Sequence, residues 1–273
     1  MVGYIILRDI PKERVQLDLT YFDVQGGFRG FAHVPQGPHY ISILVDGNFI
    51  AGFWCYVNPS EVLVKVYDHE NKCFNDDTEN LELYTDLALS GAMNKSLISV
   101  MQVDAEMSIK WLTLVSFINK DNFPPKMKTE EVPSAITTLD DIGIRDTIKT
   151  RFEITFETVH ESNQESFLTE FQYVFVNYLV NNSNEPAINR WLYLLTTTYN
   201  AREDSMKKYP DFFVSFINVL IDQLKLLPDN YFSANSLIFQ TANYMIEDLI
   251  DTGLPQLVEK AGEFQTFLKT KGL

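Results

Sequence analysis

Along the first part of the chain, to about residue 75, apolar positions come in short β-branched and aromatic runs broken at close intervals by Gly, Pro, Asn and Asp, which is the spacing of strands. The runs Tyr4 to Leu7, Val15 to Leu19, Phe28 to Val34, His39 to Val45, Phe49 to Val57 and Val62 to Tyr67 are the expected strands. Asp46-Gly47-Asn48 lies between two of them and predicts a tight hairpin, because such turns need the positive φ that Gly accepts. Asn58-Pro59-Ser60 predicts the next turn. Val62, Val64 and Val66 are apolar at every second position, so one face of that strand is buried and the other solvated. The expectation is an antiparallel, sandwich-like pair of sheets.

The period then changes from two to about three and a half. Leu81, Leu83 and Leu87 predict one helix, and Trp111, Leu112, Val115 and Ile118 a second with Asp104 as its cap. Between Asn119 and Thr150 the chain carries Pro124, Pro125 and Pro133 beside mixed charges, which suits a linker. Phe152, Ile154 and Phe156 alternate with polar residues and predict an extended segment. Beyond it, Ser162 with Glu165 reads as a capping box for a helix through Leu168, Phe171, Phe175 and Tyr178. Four further stripes follow: Ile188 to Tyr199 with Pro186 in its first turn, Phe213 to Leu224 stopped by Pro228, Ile238 to Leu249 ending at Gly253, and Leu257 to Leu268. The predicted architecture is α+β in two domains: residues 1–118 a β-sandwich-like domain with helices, 119–150 a linker, and 151–273 all-helical.

Composition narrows the class. Of 273 residues 45% are hydrophobic, enough for a packed core in each domain. Lys and Arg number 22 against 37 Asp and Glu, a formal charge of -15 that repels phosphate backbones and speaks against a dedicated nucleic-acid binder. No run approaches the roughly 20 apolar residues of a membrane-spanning helix. The apolar start, Met1 to Leu7, meets Arg8, Asp9 and Pro11 at once and is too short for a signal peptide. Cys55 and Cys73 cannot make a disulfide framework or a four-thiolate zinc site, which agrees with a reducing compartment.

A search for chemistry returns little. The histidines are His33, His39, His69 and His160; none forms a helical metal pair, and only His33 and His39 are placed to approach each other across a turn. Gly26-Gly27-Phe28-Arg29-Gly30 has neither the Lys-Ser/Thr ending of a phosphate cradle nor the spacing of a dinucleotide loop, so it reads as turn chemistry. No GxSxG elbow is present. Asp76-Asp77, Glu130-Glu131 and Asp140-Asp141 read as solvating charges, and Trp111 and Trp191 as core. The residues predict a non-enzymatic interaction protein without metal or cofactor.

At two places residue order says more. Leu17-Asp18, then Phe28-Arg29-Gly30-Phe31, then Val34-Pro35-Gln36-Gly37-Pro38-His39-Tyr40, then Gly52-Phe53-Trp54 follow one another, and Lys110-Trp111-Leu112 follows later. Glu170-Phe171-Gln172-Tyr173-Val174-Phe175, Trp191, and Gln223-Leu224 with Pro228 form the second set. Together they resemble the Aar-two splicing-factor family, which has Ile-Asp, Phe-x-Gly and Ile-Pro-x-Gly-x-His in the first domain and Glu-Leu-Gln-Phe-Ala-Phe with a downstream Trp in the second. Ala32-His33 and Asn181-Asn182 depart from its pattern.

The resemblance implies a VHS-like helical domain after the sandwich. It also implies an assembly chaperone of the U-five small nuclear ribonucleoprotein, present in cytoplasm and nucleus. Such a chaperone binds the RNase H-like and Jab/MPN-like domains of the Prp-eight scaffold and delays docking of the Brr-two helicase and of RNA. On the matching motifs, Arg29, Gly37, His39, Glu170 and Gln172 are the expected partner-binding residues. Phosphate on Ser205, Ser215, Ser134, Thr137 or Thr138 would add negative charge and weaken the complex. Two other readings compete: a VHS-like adaptor binding peptides in membrane traffic, and a hydrolase with two carboxylates converging in a sandwich cleft.

Overall fold

The computed structural model describes residues 2–24, 26–102, 105–128, 150–181, 184–227 and 241–272. The chain divides into two compact units, Met1–Pro124 and Pro125–Leu273. The first unit therefore runs past Ile118. Ile118 is buried, and the ring of Phe123 packs edge-on against Tyr56 at 5.8 Å, which keeps this segment with the strands.

In the first unit β1 (Val2–Arg8), β2 (Arg14–Leu17), β3 (Thr20–Asp23), β4 (Gly30–Pro35), β5 (Gly37–Val45), β6 (Asn48–Val57), β7 (Val62–Asp68), β8 (Cys73–Asp76) and β9 (Leu97–Ser99) build two sheets. Their orders are β8-β7-β1-β4-β9 and β3-β2-β5-β6. The second sheet is antiparallel as expected. The first is mixed, because β1 pairs with β7 and β4 with β9 in parallel. Parallel pairing needs a crossover, and the helix α1 (Leu81–Leu89) lies in the connection that returns the chain to β9.

The hairpin at residues 45–48 forms where sequence places it: Val45 pairs with Asn48, and Asp46 and Gly47 both take positive φ, 51° and 74°. Ile5, Leu7, Phe31 and Val34 from one sheet meet Val15, Leu17, Ile41, Cys55 and Val57 from the other in one buried cluster, so the sheets face each other as a sandwich. Gly30, with φ 134°, lets β4 lie against β1; a Cβ there would collide with the carbonyl oxygen of Ile5.

The helix α2 (Ala105–Leu114) closes the unit, and its predicted cap, Asp104, lies outside the described residues. Trp111 is buried on α2 and donates its indole N–H to the carbonyl of Pro38 at 2.9 Å, fixing the helix to the start of β5.

The second unit is helical: α3 (Arg151–Glu153) running into a π-helical stretch (Ile154–Val159), α4 (Gln164–Val180), α5 (Glu185–Tyr199), α6 (Glu203–Lys208), α7 (Pro210–Leu224), α8 (Ala242–Asp251) and α9 (Pro255–Thr270). The expected extended segment at Phe152 to Phe156 is helix. Thr150 and Glu153 form a reciprocal capping box there, and Phe152 and Phe156, four residues apart, are both fully buried and stack at 5.4 Å. A spacing of four satisfies both periods, which is why alternation misled. The cap of α4 is Asn163, whose Oδ1 accepts the N–H of Ser166, in place of Ser162.

Candidate functional site

Each domain holds a buried polar centre that several of its family-like motif residues help to build, from positions far apart in sequence. In the sandwich, Asp18 and Leu19 form the two-residue turn between Leu17 and its partner Thr20, with Asp18 at φ 56°. Its carboxylate faces β5: Oδ1 accepts the N–H of Tyr40 at 3.0 Å and Oδ2 meets Nδ1 of His39 at 2.7 Å. The other imidazole nitrogen, Nε2, lies 2.8 Å from the carbonyl of Pro35. A carboxylate and a carbonyl only accept, so both ring nitrogens of His39 donate, and the ring is an imidazolium. Burial works against that charge, but Asp18 and the Pro35 carbonyl outweigh it and raise the His39 pKa above the ordinary imidazole value.

Gly37, at φ 141°, carries the chain from Pro35 back toward His39, and only its backbone conformation demands glycine, since a Cβ there would meet nothing within 4 Å. Gln16 extends the network by donating to the Asp18 carbonyl and accepting from the Ser42 hydroxyl. Gly52 completes the motif set: a Cβ there would strike the ring of Tyr40, which packs edge-on against Trp54 at 5.5 Å.

In the helical domain the centre is Glu170, buried on α4. Arg190 of α5 grips it in a fork, Nε to Oε1 at 2.8 Å and Nη2 to Oε2 at 3.2 Å. The backbone N–H of Lys128 adds a third bond to Oε1 at 2.7 Å. His160 Nε2 lies 3.1 Å from Oε2, near enough for electrostatic attraction but off the line of a directed hydrogen bond. The Lys128 ammonium donates to the Val159 carbonyl at 3.0 Å and to the Ser166 hydroxyl at 2.9 Å, and that hydroxyl lies 3.0 Å from His160 Nδ1. Burial penalises the carboxylate, but His160 and Arg190 overcome the penalty and hold Glu170 below the usual carboxylate range.

A third link joins α4, α5 and α7. Trp191 donates its indole N–H to Gln223 Oε1 at 2.8 Å, and Gln223 Nε2 donates to the Phe171 carbonyl at 3.3 Å. The Phe171 ring stacks on Trp191 with planes 13° apart.

Of the five expected contact residues, Arg29 alone has an exposed side chain. Gly37, His39, Glu170 and Gln172 are buried. Ser205 is also buried and donates to Glu153 Oε1 at 3.0 Å, so a phosphate there must first break that bond. Ser215 is half-buried and accepts from Gln164. Ser134, Thr137 and Thr138 lie outside the described residues. His33 and His39 do not meet; His33 bonds the Ser99 hydroxyl instead.

Sequence reasoning missed the other halves of these centres: His160, Arg190 and Lys128. It also missed Asp77, which is buried and ion-paired with Arg8 where a solvating charge was expected. Ser166, His160 and Glu170 stand in the order of a nucleophile relay, but the Lys128 ammonium already occupies the hydroxyl and Arg190 neutralises the carboxylate. The arrangement resists change more than it reacts. Among the described residues no group of His, Cys, Asp and Glu could hold a metal ion, and no helix is long and apolar enough to cross a membrane.

Two surfaces are suited to contact. On the sandwich, Met101 and Ile109 are 73% and 65% exposed and border a cleft of about 330 Å³ with Val2, His33, Pro35 and Val100, a mostly apolar patch. On the helical domain, Asp248 is held above the ordinary carboxylate range by burial and by the like charges of Asp251, Glu203 and Glu247, a negative face.

No curated protein matches the chain. Two family models do, the AAR2 N-terminal domain over residues 2–125 and the AAR2 C-terminal repeat region over residues 128–272. With a match of this kind on each of its two folded units, the chain belongs to the AAR2 family of splicing factors.

Proposed function

We propose that the chain is a non-enzymatic assembly chaperone of the U-five small nuclear ribonucleoprotein. It binds the RNase H-like and Jab/MPN-like domains of the Prp-eight scaffold and delays docking of the Brr-two helicase and of RNA. The observation that carries this reading is the family match on both domains. Physical features support it. A charge of -15 steers the chain toward basic surfaces destined for RNA, and the exposed apolar residues Met101 and Ile109 supply area that gains by burial against a protein partner. The buried centres need no reaction to serve this role; they keep two domains rigid so that little ordering is lost on binding. A factor that accompanies its scaffold before and after import resides in both cytoplasm and nucleus.

Calorimetry of the full chain against each scaffold domain of its own organism, separately and together, tests the reading. Binding that tightens when both domains are present is the expected result. Absence of binding to either and to both at tens of micromolar would remove the function and leave the family assignment standing.

A further inference from the structure

Among the described residues, α9 is the least embedded element of the helical domain. Four of its sixteen residues are buried, Leu257, Ala261, Phe264 and Leu268, against eleven of seventeen in α4 and eight of fifteen in α7. They form one stripe, spaced four, three and four residues apart, that rests on α7 and α8. Polar bonds add little to it. Among the described residues one side-chain hydrogen bond ties α9 to another element, from Gln256 to Asp211 of α7 at 3.2 Å, and both groups are exposed. The bonds of Lys260 to Glu263, Thr266 to Gly262 and Thr270 to Phe267 stay within the helix.

A joint and an unsatisfied donor accompany this thin attachment. Between α8 and α9 stands Gly253 with φ 68°, and one extended residue, Leu254, separates it from Pro255 at the start of α9. Within the seat, the ring of Phe264 lies 6.4 Å from that of Tyr199, the last residue of α5. Tyr199 is 1% exposed, and its hydroxyl has no hydrogen-bond partner. The buried indole donors are satisfied, Trp111 by the Pro38 carbonyl and Trp191 by Gln223. The other buried side-chain atom without a directed bond among the described residues, His160 Nε2, has the Glu170 carboxylate at 3.1 Å. Tyr199 has no such neighbour, so with α9 in place its hydroxyl forgoes the bonds that water would make.

We infer that α9 is a detachable helix: it swings from its seat about Gly253 while α4, α5 and α7 stay folded, and the Tyr199 hydroxyl, hydrated once Phe264 has left, keeps the open state within reach. Four apolar side chains favour the closed state, and the orphan hydroxyl opposes them. A phenylalanine at position 199 would fill the same space and hold the helix tighter, so the hydroxyl loosens this one joint. Opening uncovers apolar surface on α7 and α8 that the closed domain hides, a local transition far below the free energy of unfolding the domain. The inference draws on the helical domain alone and does not depend on the identity of the scaffold, so the two readings stand or fall separately.

The test is native-state hydrogen exchange of the full chain, read by mass spectrometry on peptides from α4, α7 and α9. In the parent protein the α9 amides should exchange roughly a hundredfold faster than those of α4. Tyr199→Phe removes the orphan hydroxyl and keeps the ring, and it should slow α9 exchange about tenfold with α4 unchanged. Leu268→Ala shortens the stripe and should speed α9 exchange about thirtyfold, again with α4 unchanged. Exchange of α9 at the rate of α4, a Tyr199→Phe protein whose α9 is no slower than the parent's, or variants that move α4 as much as α9 would each overturn the inference.

Discussion

The two domains each bury a histidine against a carboxylate, and they settle the charge in opposite ways. In the sandwich, His39 stands between two acceptors, Asp18 and the Pro35 carbonyl, so the histidine is the cation and a single carboxylate balances it. In the helical domain, Glu170 has a guanidinium fork, a backbone N–H and a histidine around it, so the carboxylate is the ion that must be kept and His160 is one of several supports. The sandwich pair joins a turn to a neighbouring strand, whereas Glu170 joins α4, α5 and the chain at Lys128. Where backbone already holds the elements together, as in paired strands, one ion pair suffices. Helices do not hydrogen-bond to each other through backbone, so a side-chain hub does that work.

The largest expected effect follows from this difference. Glu170→Ala leaves the Arg190 guanidinium, only 11% exposed, without its counter-charge, and breaking such a pair from one side costs about 4 kcal/mol. Urea unfolding of the full chain should show a helical-domain transition lowered by that amount with the sandwich transition unmoved. A loss shared equally by both transitions would contradict the separation of the two centres.

Asp18→Asn is the matching break in the sandwich. The amide oxygen can still accept from Tyr40, but the imidazolium loses its charge partner, at a cost of about 2 kcal/mol. The smaller figure is the comparison in numbers, because one charge-assisted bond is removed where Glu170→Ala removes three. If Asp18→Asn costs as much as Glu170→Ala, the strands contribute less to holding that turn than argued above.

Trp191→Phe is milder. It keeps most of the ring packing on Phe171 and Phe175 but leaves Gln223 Oε1 without its donor, an unsatisfied buried acceptor costing about 1.5 kcal/mol. Gln223→Leu in the same background removes the orphan and should restore part of the loss, as a double-mutant cycle in chemical denaturation would show.

Much of this was legible in the sequence, and the illegible part has a physical pattern. The long strands, the hairpin at Asp46-Gly47 and the helices α4, α5, α7, α8 and α9 announce themselves through periodicity, because burial of one face acts residue by residue, whereas the six-residue α6 does not. The short strands β3, β8 and β9 do not, since three or four residues are too few to display a period. The centres are half legible. Their motif members, Asp18, His39, Glu170, Trp191 and Gln223, stand out through the family resemblance. Their partners do not: Arg190 lies 20 residues from Glu170 and Lys128 lies 42, and only the fold decides which cation reaches a given carboxylate. Burial is illegible for the same reason, so four of the five residues expected at a partner's surface, all but Arg29, lie in the core.

The smallest effect is the most discriminating, because its sign differs between the domains. His39 has its pKa raised on folding, so its stabilisation is complete below the ordinary imidazole value and is lost as pH rises through the folded value. Glu170 has its pKa lowered, so its stabilisation is complete above the ordinary carboxylate value and is lost as pH falls through the folded value. Each unit of displacement is worth about 1.4 kcal/mol, below the mutational effects. Between about pH 6 and pH 9 Glu170 does not titrate and adds no slope, while the sandwich transition should fall as pH rises. The Trp191→Phe protein keeps Trp54 and Trp111, both in the sandwich domain, and its fluorescence therefore follows that transition alone. The alkaline loss should appear in this protein and vanish when Asp18→Asn is added, since the imidazole then has no charge partner to raise its pKa. Should the slope persist without Asp18, His39 would not be the cation on which the contrast between the two domains rests.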